Sequence, residues 1–193
     1  SPLSVLPALS MTANGAKNDT LTQMEQTLGM PVDTWNEYLY SYINQLPKDT
    51  DCKFHLANSI WFRDTKDFAV NPDFLKTNAK YYNTGIYQAA FDESTLLDIN
   101  SWVSQNTDGM IPNILDKLSA NDSMYLINAL SFDSKWSSIY EKSSVESSTF
   151  TEEDGTSQDI ELMHSDEYEY IEDENAKGFL KPYSGYSYAF AAI

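Results

Sequence analysis

Residues 99–140 read INSWVSQNTDGMIPNILDKLSANDSMYLINALSFDSKWSSIY, and the order of elements in this stretch decides the fold. Leu96, Ile99, Trp102 and Val103 recur at helical spacing and predict an amphipathic helix with one apolar face. Thr95 is the expected cap, with Asp98 three residues on to accept from free amides. Asn106-Thr107-Asp108-Gly109 ends the helix, because glycine most readily takes the left-handed conformation past a helix terminus. Pro112 discourages any continuation. From Met124 to Phe132 nearly every residue is apolar, which predicts a strand covered on both faces. Asn128 shares one face of that strand with Leu126 and Leu130, and a buried amide without partners costs about 1–3 kcal/mol.

Upstream, Ser1 and Pro2 start a helix with proline at its first turn, and Pro7 should kink it or delay its start. Leu21, Met24 and Leu28 form the stripe of a second helix closed by Gly29. A third runs from Val32 to Leu46 with Trp35, Leu39, Tyr42 and Ile43 along its face, and Pro47 stops it. Lys53–Arg63 is a run of strand formers. Leu56, Asn58, Ile60 and Phe62 repeat the alternation of Leu126, Asn128, Leu130 and Phe132, so two neighbouring strands would put two asparagines in one layer. Asn71 caps a further helix to about Tyr82, and Gly85–Phe91 reads as a short strand. After Tyr140 come short strands and turns, with Asp154-Gly155 and Ser184-Gly185 as the turn signals.

The chain has 193 residues and 41% apolar content, enough for one packed core. No apolar run approaches the roughly 20 residues that span a bilayer, so no membrane partner is expected. Net charge is −17, and 13 acidic residues against one lysine fall between Glu141 and Glu174. Such a surface repels nucleic acid and gives a solvated acidic face. Its sharper reading is attraction of a basic partner. Cys52, the single cysteine, excludes an intrachain disulfide. Cys52 and His55 fall short of the three or four ligands that zinc needs, so no metal site is expected.

Ile99-Asn-x-Trp-Val, then Asn106-Thr-x-Gly-x-Ile, then Leu126-Ile-Asn-Ala-x-x-Phe-x-x-Lys-Trp136 resemble the serpin family in order, spacing and residue type. The resemblance extends to Ser1-Pro-x-Ser4 with Gly15-Ala16, and to the hairpin around Pro182-Tyr183-x-Gly185. It implies an α+β fold in which helices pack on a large mixed β-sheet with smaller second and third sheets. The 193 residues would be one incomplete serpin domain, helix B through the first hairpin of the small barrel sheet. Helix A, the reactive loop and the C-terminal strands lie outside it. The chain is expected to be part of a longer or cleaved molecule, with the remainder in a second polypeptide, or else a truncated relative.

The resemblance further implies a suicide inhibitor of serine or cysteine proteases, with no catalysis of its own. Cleavage of an exposed loop would drive its insertion as a strand beside the one carrying Asn128. Ser1, Ser4 and Asn128 would form the shutter that governs opening of the sheet. Trp136 and Lys135 would lie at the breach where the loop passes. Asn100 and Trp102, on helix F, would sit over the sheet that must part. One departure is Phe132-Asp-Ser134-Lys-Trp136, where the family usually has glycine at the position of Ser134. The target protease is set by the reactive loop. Asp33 and Glu37, with no lysine before Lys48, argue against a heparin-like cofactor on the third helix, and no other cofactor is implied. The rival readings are a non-inhibitory carrier on the same fold, an acidic surface-binding domain, and an enzyme. No nucleophile elbow, metalloprotease motif or phosphate loop supports the last. An extracellular location is what such inhibitors usually imply.

Overall fold

The computed structural model describes residues 1–193. Five α-helices and eight strands follow in the order α1 (Pro2–Ala13), α2 (Asn18–Leu28), α3 (Val32–Gln45), β1 (Cys52–Arg63), α4 (Pro72–Tyr82), β2 (Gly85–Ala89), α5 (Glu93–Asn106), β3 (Met124–Ser134), β4 (Val145–Thr151), β5 (Ser157–Met163), β6 (Glu169–Glu172), β7 (Lys177–Pro182) and β8 (Ala189–Ala192). They form an α+β fold with three sheets, ordered β2-β1-β3, β4-β5 and β6-β7-β8. The chain divides into two compact units, Ser1–Leu46 with Phe54–Phe132, and Pro47–Lys53 with Asp133–Ile193.

In the first unit β1 pairs in parallel with β2, Ser59 opposite Gly85, and lies between β2 and β3. Alternation along β1 and β3 sends successive side chains into two separate cores. Trp61, Ile127 and Ala129 meet Phe91, Ile99 and Val103 on one face. Ile60, Phe62, Met124 and Leu126 meet Met11, Trp35, Leu39 and Tyr82 on the other. Helix α5 therefore covers one face of the sheet, and α1, α3 and α4 build up the opposite side. Tyr42 is exposed rather than part of the α3 stripe, and Asn36 is buried in its place.

Helix α5 begins one turn earlier than Thr95 suggests. Asp92 is the cap: its carboxylate accepts from the Thr95 amide at 3.1 Å, and that contact holds its pKa below the ordinary value. Thr95 is buried, and its hydroxyl accepts from the Phe91 amide at 3.1 Å. The two side chains thus satisfy the start of the helix reciprocally. Phe91, with φ of +61°, has already left the strand, so β2 stops at Ala89. At the far end Gly109, φ +78°, donates to the Ser104 carbonyl at 2.8 Å, the terminating turn expected of a glycine there. Helix α1 runs through Pro7 without a break, and Pro7 is buried.

The second unit is a β4–β5 hairpin and a three-stranded antiparallel sheet. Val145 faces Met163 and Thr151 faces Ser157 across the hairpin, whose turn carries Gly155 at φ +87°. In the other sheet β7 is the middle strand, flanked by β6 and β8.

Ile99 is fully buried between α5 and the sheet, whereas Leu97 on the same helix is 64% exposed. Ile99→Ala should cost about 2–5 kcal/mol in denaturant unfolding, while Leu97→Ala should stay within about 0.5 kcal/mol. Equal costs would mean that α5 does not pack on the sheet through this face.

Candidate functional site

Asn128 is half-buried rather than fully enclosed, and both ends of its amide are paired. Its Oδ1 accepts from the Ser4 hydroxyl at 2.5 Å. Its Nδ2 donates to Oδ1 of Asn58 at 2.8 Å, so the two asparagines do share one layer across β1 and β3. The Asn58 Nδ2 then donates to the Tyr82 carbonyl at 2.9 Å, at the end of α4. Three secondary elements, α1, the sheet and α4, are tied by one run of hydrogen bonds. Ser1 is placed differently. It lies exposed at the start of α1, where its carbonyl accepts from Ser4 and Val5, and its side chain caps nothing.

The run continues beyond the residues that the sequence singles out. The Tyr82 hydroxyl donates to Asn36 Oδ1 at 2.7 Å. Asn36 and Asn14 exchange amide hydrogen bonds at 2.9 and 3.1 Å, and Asn14 also donates to Asn78 Oδ1 at 3.1 Å. Asn78 in turn donates to the Phe74 carbonyl at 3.1 Å. Burial pushes the Tyr82 phenol up to about 12, with the adjacent Ser10 hydroxyl opposing the shift, so Tyr82 acts as a neutral donor. Asn36, Asn78 and Tyr82 are buried, where each side-chain polar group needs a partner.

On the opposite face Asn100 holds the segment that follows α5. Its Oδ1 accepts from the amides of Ile114 and Leu115 at 2.9 and 3.0 Å, and its Nδ2 donates to the Leu115 carbonyl at 2.8 Å. Trp102 is half-buried and packs against the α5 core cluster. Thr107 accepts from the Ile111 amide at 3.1 Å and donates to the Val103 carbonyl. Arg63, the only arginine, finishes the segment by donating to the carbonyls of Ser119, Ala120 and Asp122. A single arginine at a strand end carries no periodic signal, and its role comes from the fold alone.

In the second unit Trp136 lies just past the end of β3. It forms a bridge with Tyr183, and their rings stack at 4.6 Å. Ser137 donates to the Pro182 carbonyl at 3.0 Å, and Ser184 to the Lys135 carbonyl at 2.7 Å. Lys135 therefore contributes its backbone while its side chain is exposed. Where the family usually carries glycine, β3 runs on through Ser134, whose hydroxyl donates to the Asp51 carbonyl at 3.1 Å. Gly185, φ +80°, makes the turn that returns the chain along this edge, and a side chain there would collide with Asp49.

The same edge contains a buried charge that sequence reading passes over. Lys181, 5% exposed, places its ammonium against Glu167 Oε1 and 3.1 Å from the Ser165 hydroxyl. The ammonium also lies 4.5 Å from the Tyr140 ring and 5.4 Å from the Trp136 ring. The Lys181 and Ser165 hydrogen bonds hold the Glu167 carboxyl below its ordinary value. Burial alone would lower the Lys181 pKa, but Glu167 and Tyr140 together raise it.

The sheet covered by α5, with the polar run on its other face, was compared with known proteins. The family model described as Serpin (serine protease inhibitor) matches residues 1–193. The chain belongs to the serpin family. It is 26% identical over 193 residues to an uncharacterised serpin-like protein of Thermococcus kodakarensis, covering 96% of this chain and 45% of that protein. The thermophilic serpin tengpin is 50% identical. Its native-state crystal structure superposes with a TM-score of 0.91 over 100% of this chain and 50% of tengpin, and its latent state with 0.90 over 99% and 52%. Thyroxine-binding globulin, crystallised with thyroxine, is 25% identical with a TM-score of 0.79 over 95% of this chain and 53% of that one. The chain thus spans about half the length of the relatives it matches.

Asn128→Leu strands the Asn58 oxygen and the Ser4 hydroxyl, and should cost about 1–3 kcal/mol or more. Tyr82→Phe should cost less, because Asn14 still donates to Asn36. Thermal unfolding of the two variants gives the ranking, and a larger loss for Tyr82→Phe would refute this order of dependence.

The depressed Glu167 pKa implies stabilisation that is complete above the carboxyl's ordinary 4.5 and lost as pH falls through its lower folded value. The stability gap between parent and Glu167→Gln should therefore narrow on acidification, measured from about pH 6 to about pH 3. A constant gap would contradict the pairing.

Proposed function

We propose that the intact protein is a suicide inhibitor of proteases, most directly serine proteases, acting by cleavage of an exposed loop and its insertion beside β3. The observation that carries this reading is the Ser4–Asn128–Asn58 run of hydrogen bonds at the centre of the β1–β3 pair. A strand added next to β3 gains main-chain hydrogen bonds along its length. Asn128 sits midway along β3, tied to β1 on one side and to α1 through Ser4, so a strand entering at the other edge of β3 can move it only by straining these contacts. In this proposal Ser4 and Asn128 form the shutter, with Ser1 at the helix start beside it, and Asn100 and Trp102 hold the cover that must yield. Trp136 and Lys135 form the breach through which the loop passes. Insertion releases strain stored in the metastable fold and carries the acylated protease with it.

The protein contributes no catalytic group to this scheme; the protease supplies the nucleophile and is trapped as its own acyl-enzyme. The partners are an extracellular protease and the polypeptide that carries the remaining half of the fold, whether continuous with this chain or separate. Asp33 and Glu37 on α3 support action without a polyanionic cofactor. The similarity to thyroxine-binding globulin favours a second reading, a carrier that uses the same fold to hold a small ligand.

Incubating the intact protein with a panel of serine proteases should give an adduct that survives boiling in detergent. Loop cleavage with full release of every protease would reject inhibition and leave the carrier.

A further inference from the structure

Lys181 is the one charged side chain among the buried residues, and it lies at the edge proposed above for loop passage. Its ammonium gathers three separate parts of the second unit. Trp136 and Tyr140 come from the turn beyond β3, Ser165 and Glu167 from the segment before β6, and the lysine itself from β7. Glu167 is itself largely buried, with a side chain 16% exposed.

An apolar residue would fill this position at lower cost, because a buried ion pair seldom repays the desolvation of its two charges. What an ion pair supplies instead is direction. A buried ammonium must keep a carboxylate, a hydroxyl or a ring face against it, so its neighbours are held close to the charge. Trp136 is fixed by this cation together with the stacked Tyr183 ring and the edge of Phe190, at centroid distances of 4.6 and 6.1 Å for the two rings.

We propose that Lys181 is a positioning residue for strand insertion, a clasp that pins residues 136–140 and 165–167 to β7 and keeps the turn beyond β3 closed until an incoming strand displaces it. This rests on the insertion reading under Proposed function. The clasp acts through Trp136 and Glu167 and makes no contact with the protease. When it opens, Trp136 loses its cation and Glu167 keeps only the Ser165 hydroxyl as a partner. The turn beyond β3 then loses its tie to β7, and insertion proceeds without cleavage.

The test compares the intact parent protein with Lys181→Met, Lys181→Arg and the doubly substituted Lys181→Met/Glu167→Gln. Each is incubated warm without protease, and two quantities are read: the unfolding midpoint, and the rate of conversion to a more heat-stable, loop-inserted form. Lys181→Met should convert faster by about tenfold or more, because losing one partner of a buried ion pair is strongly destabilising and part of that loss falls on the closed form. Lys181→Arg, which keeps the charge, should stay close to the parent. The double variant removes both charges and should recover most of the parental midpoint, yet still convert fast, because no ammonium bridges the three segments.

A double variant that recovers midpoint and conversion rate together would overturn the clasp and leave an ordinary stabilising ion pair. So would an unchanged rate in both Met variants. A parent protein that never converts under any warming would overturn the insertion reading, and the clasp with it.

Discussion

The constraint on which the first unit depends is that an amide taken out of water must be paired at both its oxygen and its nitrogen. Asn128 meets it by accepting from Ser4 and donating to Asn58, and the same demand passes from Asn58 to the Tyr82 carbonyl. Every group in this run has its orientation set by the one before it. A sheet held only by apolar contacts would tolerate small slips of β3 against β1. One held by oriented amides does not, since a slip of one residue turns Asn128 toward the α5 face. The hydrogen bonds thus specify the register that the two hydrophobic cores stabilise.

The cover on the other face of the sheet is built differently. After α5 the chain has no regular structure until β3, and its backbone groups need other partners. Asn100 and Thr107, in α5 and at its C-terminal cap, and Arg63 at the end of β1 supply them. The result is a lid with few main-chain ladders and several point attachments. Such a lid can lift without unravelling a helix or a strand, which suits the insertion proposed for the sheet beneath it.

Much of this was legible in the sequence, and the limits have physical causes. Helical and alternating periodicity located α2 through α5, β1 and β3, because apolar faces repeat over many residues. The pairing of Asn58 with Asn128 was readable from two matching alternations. What escaped was polar and non-periodic. Thr95 was the expected cap of α5, but its hydroxyl faces inward and Asp92 does the capping. Asn14, Asn36 and Asn78 look like ordinary helix-surface residues until three helices bring them together. Ser1 and Ser4 are equivalent in the motif, yet only Ser4 lies a helical turn along, where its hydroxyl meets the sheet. Lys181 was hidden for the opposite reason: in an alternating strand a lysine reads as the solvent side, and only its neighbours in space make it an interior group.

Pro7 gives α1 an uneven compliance. Without an amide hydrogen it leaves the Leu3 carbonyl short of its usual partner one turn back, next to Ser4. The turn before Pro7 is tied to the sheet through Ser4, while the end of the helix is tied to α3 and α4 through Asn14. The helix is thus two levers on a common joint. In the proposed insertion a displacement of β3 would be taken up by flexing at that joint, so it need not reach the far end of α1, and the asparagine cluster there would stay shut.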